Sequence, residues 1–245
     1  MDRREKEQLY SSYYSSLFRD LHPGDSEEFG MFLEYYKKNY LPHLPSRKTA
    51  AILELGCGMG HFLNFLKNEG YQNYLGVDIC EENILFCAER NITATQADIF
   101  CFLEESGKSF DAIVMNDVLE HFDKCEVIRF LELAYKKLSP QGKLILKVPN
   151  AANPILASSS RYIDFTHELL FTEESLSQVL RVSGFRNIRI YAQDLYVFSK
   201  NPLNYLAKCL NFLLNGSFRL MFKFYGRKTT KIFTKCLIAV AVRDE

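Results

Sequence analysis

The chain has 245 residues, 47% of them hydrophobic, enough for one α/β domain with its own core. Its seven cysteines are odd in number and lack any ligand spacing, which argues against a disulfide framework or a structural zinc site. Net charge is zero but unevenly spread: from Leu195 to Arg243 there are nine Lys and Arg and no Asp or Glu, a stretch suited to an anionic surface.

The opening MDRREKEQLYSSYY is charged and lacks the apolar segment of a signal peptide, so a cytoplasmic location is expected. DSEEFGMFLEYYKKNYL predicts a helix capped by Asp25 or Ser26, with Glu27 and Glu28 in its first turn and Pro42 and Pro45 ending it. Residues 1–48 are expected to form a helical lid whose Tyr35, Tyr36 and Tyr40 offer an aromatic surface to a substrate. From residue 49 to 245, strand-length apolar runs alternate with helical patterns. AILEL, YLGVD, TATQAD, FDAIVMND, KLILKVP, NIRIYAQ and KCLIAVAVRD read as strands, with HFLNFLKNEG, EENILFCAERN and KCEVIRFLELAYKKL as helices between them. This alternation predicts an α/β fold, a mostly parallel sheet with helices on both faces. The stretch 150–168 is rich in turn chemistry and is expected to be a substrate loop.

The first strand, AILEL, carries Glu54 just before the turn that holds Gly56, Cys57, Gly58 and Gly60. A dinucleotide fingerprint would place its third glycine at position 61, which is His61, so the spacing is G-x-G-x-G instead. Asp78 closes the next strand, where it could take ribose hydroxyls, and Asp98 the one after, where it could accept from an adenine amino group; either acid could instead cap a helix. No cation lines the loop. Acids with a glycine backbone suit a ligand carrying an ammonium and a sulfonium better than a pyrophosphate, which points to S-adenosylmethionine.

The ordered series ILELGCGMG, GVDI, QADIF, FDAIVMNDVLEHF, LSPQGKLILKVPN and FTEESLSQVLRVSGFRNIRI, with the closing CLIAVAVR, resembles the class I S-adenosylmethionine-dependent methyltransferases. The resemblance implies a Rossmann-like seven-stranded sheet whose last strand is antiparallel and inserted between its two predecessors. It implies that Glu54, Gly56, Cys57, Gly58 and Gly60 surround the methionine part, that Asp78 and Ile79 flank the ribose, that Asp98 and Ile99 flank the adenine, and that Asn116 lies beside the methyl donor. S-adenosyl-L-homocysteine would be the product.

Methyl transfer from a sulfonium mainly requires positioning, with a base when the acceptor is a hydroxyl. Candidate bases are Asp117, Glu120 and His121 in MNDVLEHF, and His167 in RYIDFTHELLFT; a structural role for either histidine stays open. Asn150, Arg161, Tyr162 and Asp164, with Tyr36 and Tyr40, are candidate substrate contacts. No metal is expected, because no tight carboxylate cluster of the kind Mg²⁺ favours is visible, although Asp164 with His167 leaves that open. NDVL stands where amino-methylating nucleic-acid enzymes carry [DN]PP[YF], so nucleic acid is not the expected partner. By analogy the series is most similar to enzymes of small molecules, quinone precursors and surface-polysaccharide sugars. The expected acceptor is a hydroxyl of a sugar or lipid-linked glycan, with a quinone or other small molecule, an RNA, or mere cofactor binding as alternatives. Residues 198–235 form a basic amphipathic insertion that could pack, dimerise or lie on an anionic membrane at its inner face. Monomer and homodimer stay open.

Overall fold

The computed structural model describes residues 9, 10, 15, 22–195, 197 and 201–244. In chain order, α1 (Ser26–Asn39) precedes β1 (Ile52–Leu55), α2 (His61–Asn68), β2 (Tyr74–Asp78), α3 (Glu81–Glu89), β3 (Ala94–Gln96) and α4 (Ile99–Glu105). Then come β4 (Phe110–Asn116), a 3₁₀ turn (Leu119–His121), α5 (Lys124–Lys137), β5 (Leu138–Pro149), α6 (Ala157–Tyr162), α7 (Glu173–Val182), β6 (Arg186–Ala192), α8 (Pro202–Phe224) and β7 (Cys236–Val242). The sheet order is β3-β2-β1-β4-β5-β7-β6. β1 to β5 pair in parallel, and β7 runs antiparallel to both β5 and β6, as the resemblance implies. In such a sheet the switch point lies between β1 and β4, where the chain first builds outward one way and then the other, and ligands collect beyond the strand ends there.

Alternating side chains divide the core between the two faces of the sheet. Leu53, Leu55, Ile113, Met115, Leu144 and Leu146 face one layer with Phe130, Leu131 and Leu180. Ile52, Ala112, Val114 and Ile145 face the other, with Phe62, Phe65 and the tyrosines of α1.

Asp25 caps α1 by accepting from the Glu28 N–H at 2.8 Å. In the described part of the expected lid, α1 is packed into the core: Tyr35, Tyr36 and Tyr40 are buried, Tyr40 completely, and Tyr36 packs edge-on to Phe62 at 5.1 Å. Tyr35 and Tyr36 also line the cavity at the strand ends, whereas Tyr40 does not. Residues 1–8, 11–14 and 16–21 of that lid lie outside the described residues, as do 198–200 of the insertion. α6 and α7 are not among the expected helices, and neither is α4. α4 is short, its IFCFL run has no polar face, and its start is marked by Asp98, whose Oδ1 accepts from the N–H groups of Phe100 and Cys101.

Candidate active site

Beyond the C-terminal ends of β1, β2 and β4 lies a cavity of about 980 Å³. Its floor begins at the glycine turn. Gly56 has φ +70, a left-handed conformation that disfavours side chains, and a Cβ there would come within 2.3 Å of Val118 Cγ2. The turn is braced from β2: Asp78 Oδ2 accepts from Gly58 N–H at 2.8 Å, while Oδ1 accepts from Cys80 N–H at 2.9 Å and Asn83 Nδ2 at 3.3 Å. Burial raises the Asp78 pKa, opposed by these N–H donors.

Gly56, Cys57, Gly58, Asp78, Ile79, Asp98, Ile99 and Asn116 all line the cavity with Glu54. Gly60 does not. It sits at φ +78 as the N-cap of α2, and a Cβ there would meet Cys87 Sγ at 2.9 Å, so its glycine serves the turn and the helix packing. Asp98 is both cap and cavity wall, so the two readings of that residue do not compete.

Glu54 is 2% exposed, and burial pushes its pKa well above the usual carboxylate range. Asn116 Nδ2 donates to its Oε1 at 3.0 Å, and Asn116 Oδ1 accepts from the Tyr40 hydroxyl at 2.5 Å. Tyr40 therefore acts behind Asn116, orienting its amide, and does not line the cavity. Glu54 Oε2 is buried without a hydrogen-bond partner. An orphaned carboxylate oxygen in a cavity wall is the feature a ligand ammonium would satisfy.

The acceptor side of the cavity is built around the turn after β4. Asp117 has φ 53 and forms an ion pair with Lys147 at the end of β5. Burial works against the Lys147 charge, but Asp117 together with Tyr35, Cys236 and Tyr36 outweighs it and holds its pKa well above the usual lysine range. Glu120 is fully buried, and its pKa is pushed well up by burial and by the Asp117 charge. His121 Nδ1 lies 2.7 Å from Thr166 Oγ1, and that hydroxyl donates to Asp164 Oδ1 at 2.6 Å. With its own proton committed to Asp164, Thr166 accepts from Nδ1–H, which leaves the lone pair of His121 on Nε2. Burial, with His167 adding, lowers the His121 pKa to about 4, so the ring is neutral near pH 7. His167 stands edge-on to His121 at 4.7 Å, and its Nδ1 donates to the Ser160 carbonyl at 2.6 Å. Its lone pair is likewise on Nε2.

Asp117, Glu120, His121, His167, Asp164 and Tyr36 line the cavity; Arg161, Tyr162 and Asn150 do not. Asn150 is 1% exposed and spends its amide on the carbonyls of Ile232 and Thr234, tying β5 to the approach of β7. Tyr162 is 79% exposed, and Arg161 lies over its ring, because the outer side of α6 turns away from the cavity. Sequence reasoning missed Lys147 and Thr166. Lys147 had a signal, a cation near the end of an otherwise apolar strand; Thr166 had none, since its part depends on which groups fold against it.

The sheet order, the glycine cradle and the acids at the C-terminal ends of β1, β2 and β3 define a class I S-adenosylmethionine-dependent methyltransferase. A family model described as "Methyltransferase domain" matches residues 30–190, and the chain belongs to that family of enzymes. Among curated relatives, the tRNA U34 carboxymethyltransferase of Pseudoalteromonas translucida is 27% identical over 161 residues, covering 61% of this chain and 49% of that protein. The mitochondrial ubiquinone biosynthesis O-methyltransferase of Mus musculus is 26% identical, covering 54% of this chain and 38% of that protein. The matched region thus spans about half or less of the length of these two relatives. Among solved structures, a SAM-dependent methyltransferase from Archaeoglobus fulgidus has a TM-score of 0.66 at 24% identity, covering 94% of this chain and 99% of that one. The plantazolicin methyltransferase BpumL in complex with SAH has a TM-score of 0.61 at 20% identity, covering 98% of this chain and 95% of that one. These likenesses establish the shared fold. Surface-polysaccharide enzymes, towards which the sequence series leans, are not among these relatives.

Proposed function

We propose that the protein transfers a methyl group from S-adenosylmethionine to a hydroxyl oxygen of an acceptor held in the same cavity. The carrying observation is that one cavity is lined both by the glycine and acid cradle and by Asp117, Glu120, His121 and His167. Glu54 would hold the ammonium of the donor, Asp78 the ribose and Asp98 the adenine. The acceptor oxygen attacks the methyl carbon, the C–S bond breaks with its electron pair kept by sulfur, and S-adenosyl-L-homocysteine leaves. The hydroxyl proton goes to the carboxylate and imidazole cluster. Alignment of oxygen, carbon and sulfur supplies most of the acceleration.

The acceptor is a hydroxyl of a sugar or lipid-linked glycan intermediate. Polar groups on the acceptor side support a polyol: Ser159, Ser160, Gln193 and Lys147 line it beside the acids. An apolar mouth supports a lipid tail, since Leu156 and Ile163 line the cavity and are exposed, with Ile155 and Phe165 exposed nearby in sequence. α8 strengthens that reading. Phe222 packs on Phe233 at 4.6 Å, whereas Leu206, Leu210, Phe212, Leu213 and Phe224 are exposed on a helix without acids. Among the described residues no helix is long and apolar enough to cross a membrane. α8 instead has the composition to lie on an anionic bilayer. The mouse relative, named an O-methyltransferase of ubiquinone biosynthesis, favours a phenolic hydroxyl as the second reading.

The test is release of S-adenosylhomocysteine with nucleotide sugars, glycolipids, phenols and tRNA offered in parallel. Turnover with a sugar or glycolipid supports the first reading and turnover with a phenol the second. Turnover with tRNA alone would overturn both, and donor binding without turnover on any hydroxyl would leave a binding protein.

A further inference from the structure

Glu120 and His121 belong to the 3₁₀ turn after β4, whereas His167 comes from the segment before α7. One donor atom from each lies within 4.8 Å of the others, and all three residues are buried. Neither oxygen of the fully buried Glu120 has a hydrogen-bond partner. Leaving a carboxylate dry and unpaired is costly, by several kcal/mol where it is ionised. Asp117 and Asp164 add negative charge around Glu120, and the Lys147 ammonium opposes it.

The two imidazoles complete the pattern. Each has its Nδ1–H committed on the far side, His167 to the Ser160 carbonyl and His121 to the Thr166 hydroxyl, itself fixed by Asp164. Such bonds fix the ring tautomer and present Nε2 as a lone-pair donor, the arrangement by which histidines are held ready for a metal.

We infer that Glu120, His121 and His167 form a binding site for a divalent first-row transition cation, open on the cavity side to an acceptor hydroxyl. Two nitrogens and one carboxylate suit Zn²⁺, Mn²⁺, Fe²⁺ or Co²⁺ better than Mg²⁺ or Ca²⁺, which prefer oxygen donors. A cation about 2.1 Å from each donor holds the donors about 3 to 3.4 Å apart, so binding draws the three side chains inward. This rests on the hydroxyl-transfer reading and deepens it, because the histidines become ligands and the cation activates the acceptor. A coordinated hydroxyl loses its proton more readily. The proton passes to the Asp117 carboxylate, whose side chain is 46% exposed, and on to water. The oxygen then forms its bond to the methyl carbon as the C–S bond breaks towards sulfur.

The test is titration of chelator-treated full-length protein with Co²⁺, followed by its visible absorption, beside calorimetric titration with S-adenosylhomocysteine. The expected result is about one equivalent of Co²⁺ with nitrogen and oxygen ligation. Glu120→Gln and His167→Ala should each weaken Co²⁺ binding by at least about tenfold while leaving S-adenosylhomocysteine affinity within about twofold. Glu120→Asp keeps the charge and should retain part of the binding, so the test survives if the glutamine variant fails to fold. Wild-type protein that binds no Co²⁺, or variants that bind it as tightly as wild type, would overturn the metal site. The methyl-transfer reading fails separately, if S-adenosylhomocysteine does not bind.

Discussion

Replacing Asp78 with Asn separates its bracing of the glycine turn from the ribose contact proposed for it. The side chain accepts from Gly58 N–H at 2.8 Å, from Cys80 N–H at 2.9 Å and from Asn83 Nδ2 at 3.3 Å. An asparagine that keeps its oxygen towards Cys80 and Asn83 turns an NH₂ towards Gly58 N–H, donor against donor, at a cost of about 1–3 kcal/mol. Removing a buried charge offsets part of this, because burial raises the Asp78 pKa and so disfavours its ionised form. The net fall in Tm should stay within about 3 °C for a chain of this size. Cofactor affinity has no such compensation. A ribose hydroxyl bonded to a carboxylate is worth about 1.5–3 kcal/mol, so S-adenosylhomocysteine should bind roughly 10- to 150-fold more weakly. Isothermal titration calorimetry and a thermal melt on the same preparation read both numbers. Affinity within about twofold of wild type would refute the ligand role and leave Asp78 only a brace for the loop. A Tm that collapses with the affinity would refute the separation of the two tasks.

Gly56→Ala puts a methyl group 2.3 Å from Val118 Cγ2 at φ +70, and should cost about 1–3 kcal/mol in denaturant unfolding as well as cofactor affinity. His167→Ala should lower turnover by at least about 100-fold with S-adenosylhomocysteine affinity retained, measured once an acceptor is in hand; retained turnover would remove His167 from the chemistry. His61 packs between Phe29 and Phe32, with Glu28 Oε2 at 3.5 Å and His22 and Arg90 nearby, and burial lowers its pKa from 6.5 to about 4. A depressed folded pKa contributes stability that is present above the unfolded value and is lost as pH falls from 6.5 through about 4. Wild type should lose about 2 kcal/mol between about pH 7 and pH 5 from this group alone, and His61→Phe should flatten that slope in denaturant titrations. If α8 meets a bilayer, vesicles containing anionic lipid should sediment the protein at low salt, and Leu213→Glu should release it.

The alternation of apolar runs, the glycine turn and the acids at three strand ends were legible in the sequence because they are local. A strand of period two, a glycine forced to positive φ and an acid placed where a strand stops each report on a few neighbouring residues. That was enough for the sheet and for the cavity positions of Glu54, Asp78, Asp98 and Asn116. What each polar side chain does with its hydrogen bonds was decided only by tertiary packing. Asn150 looked like a substrate contact until its amide met the carbonyls of Ile232 and Thr234, and Gly60 looked like a cofactor residue until the turn carried it behind the cavity wall. Tyr40 changed from lid to support when α1 packed into the core and aimed its hydroxyl at Asn116. Glu120, His121 and His167 were brought together in the same way, since the chain folds a distant segment onto the turn after β4 and buries all three in one wall of the cavity. Periodicity in a sequence carries the direction in which a side chain points; only the assembled structure supplies the partner it meets there.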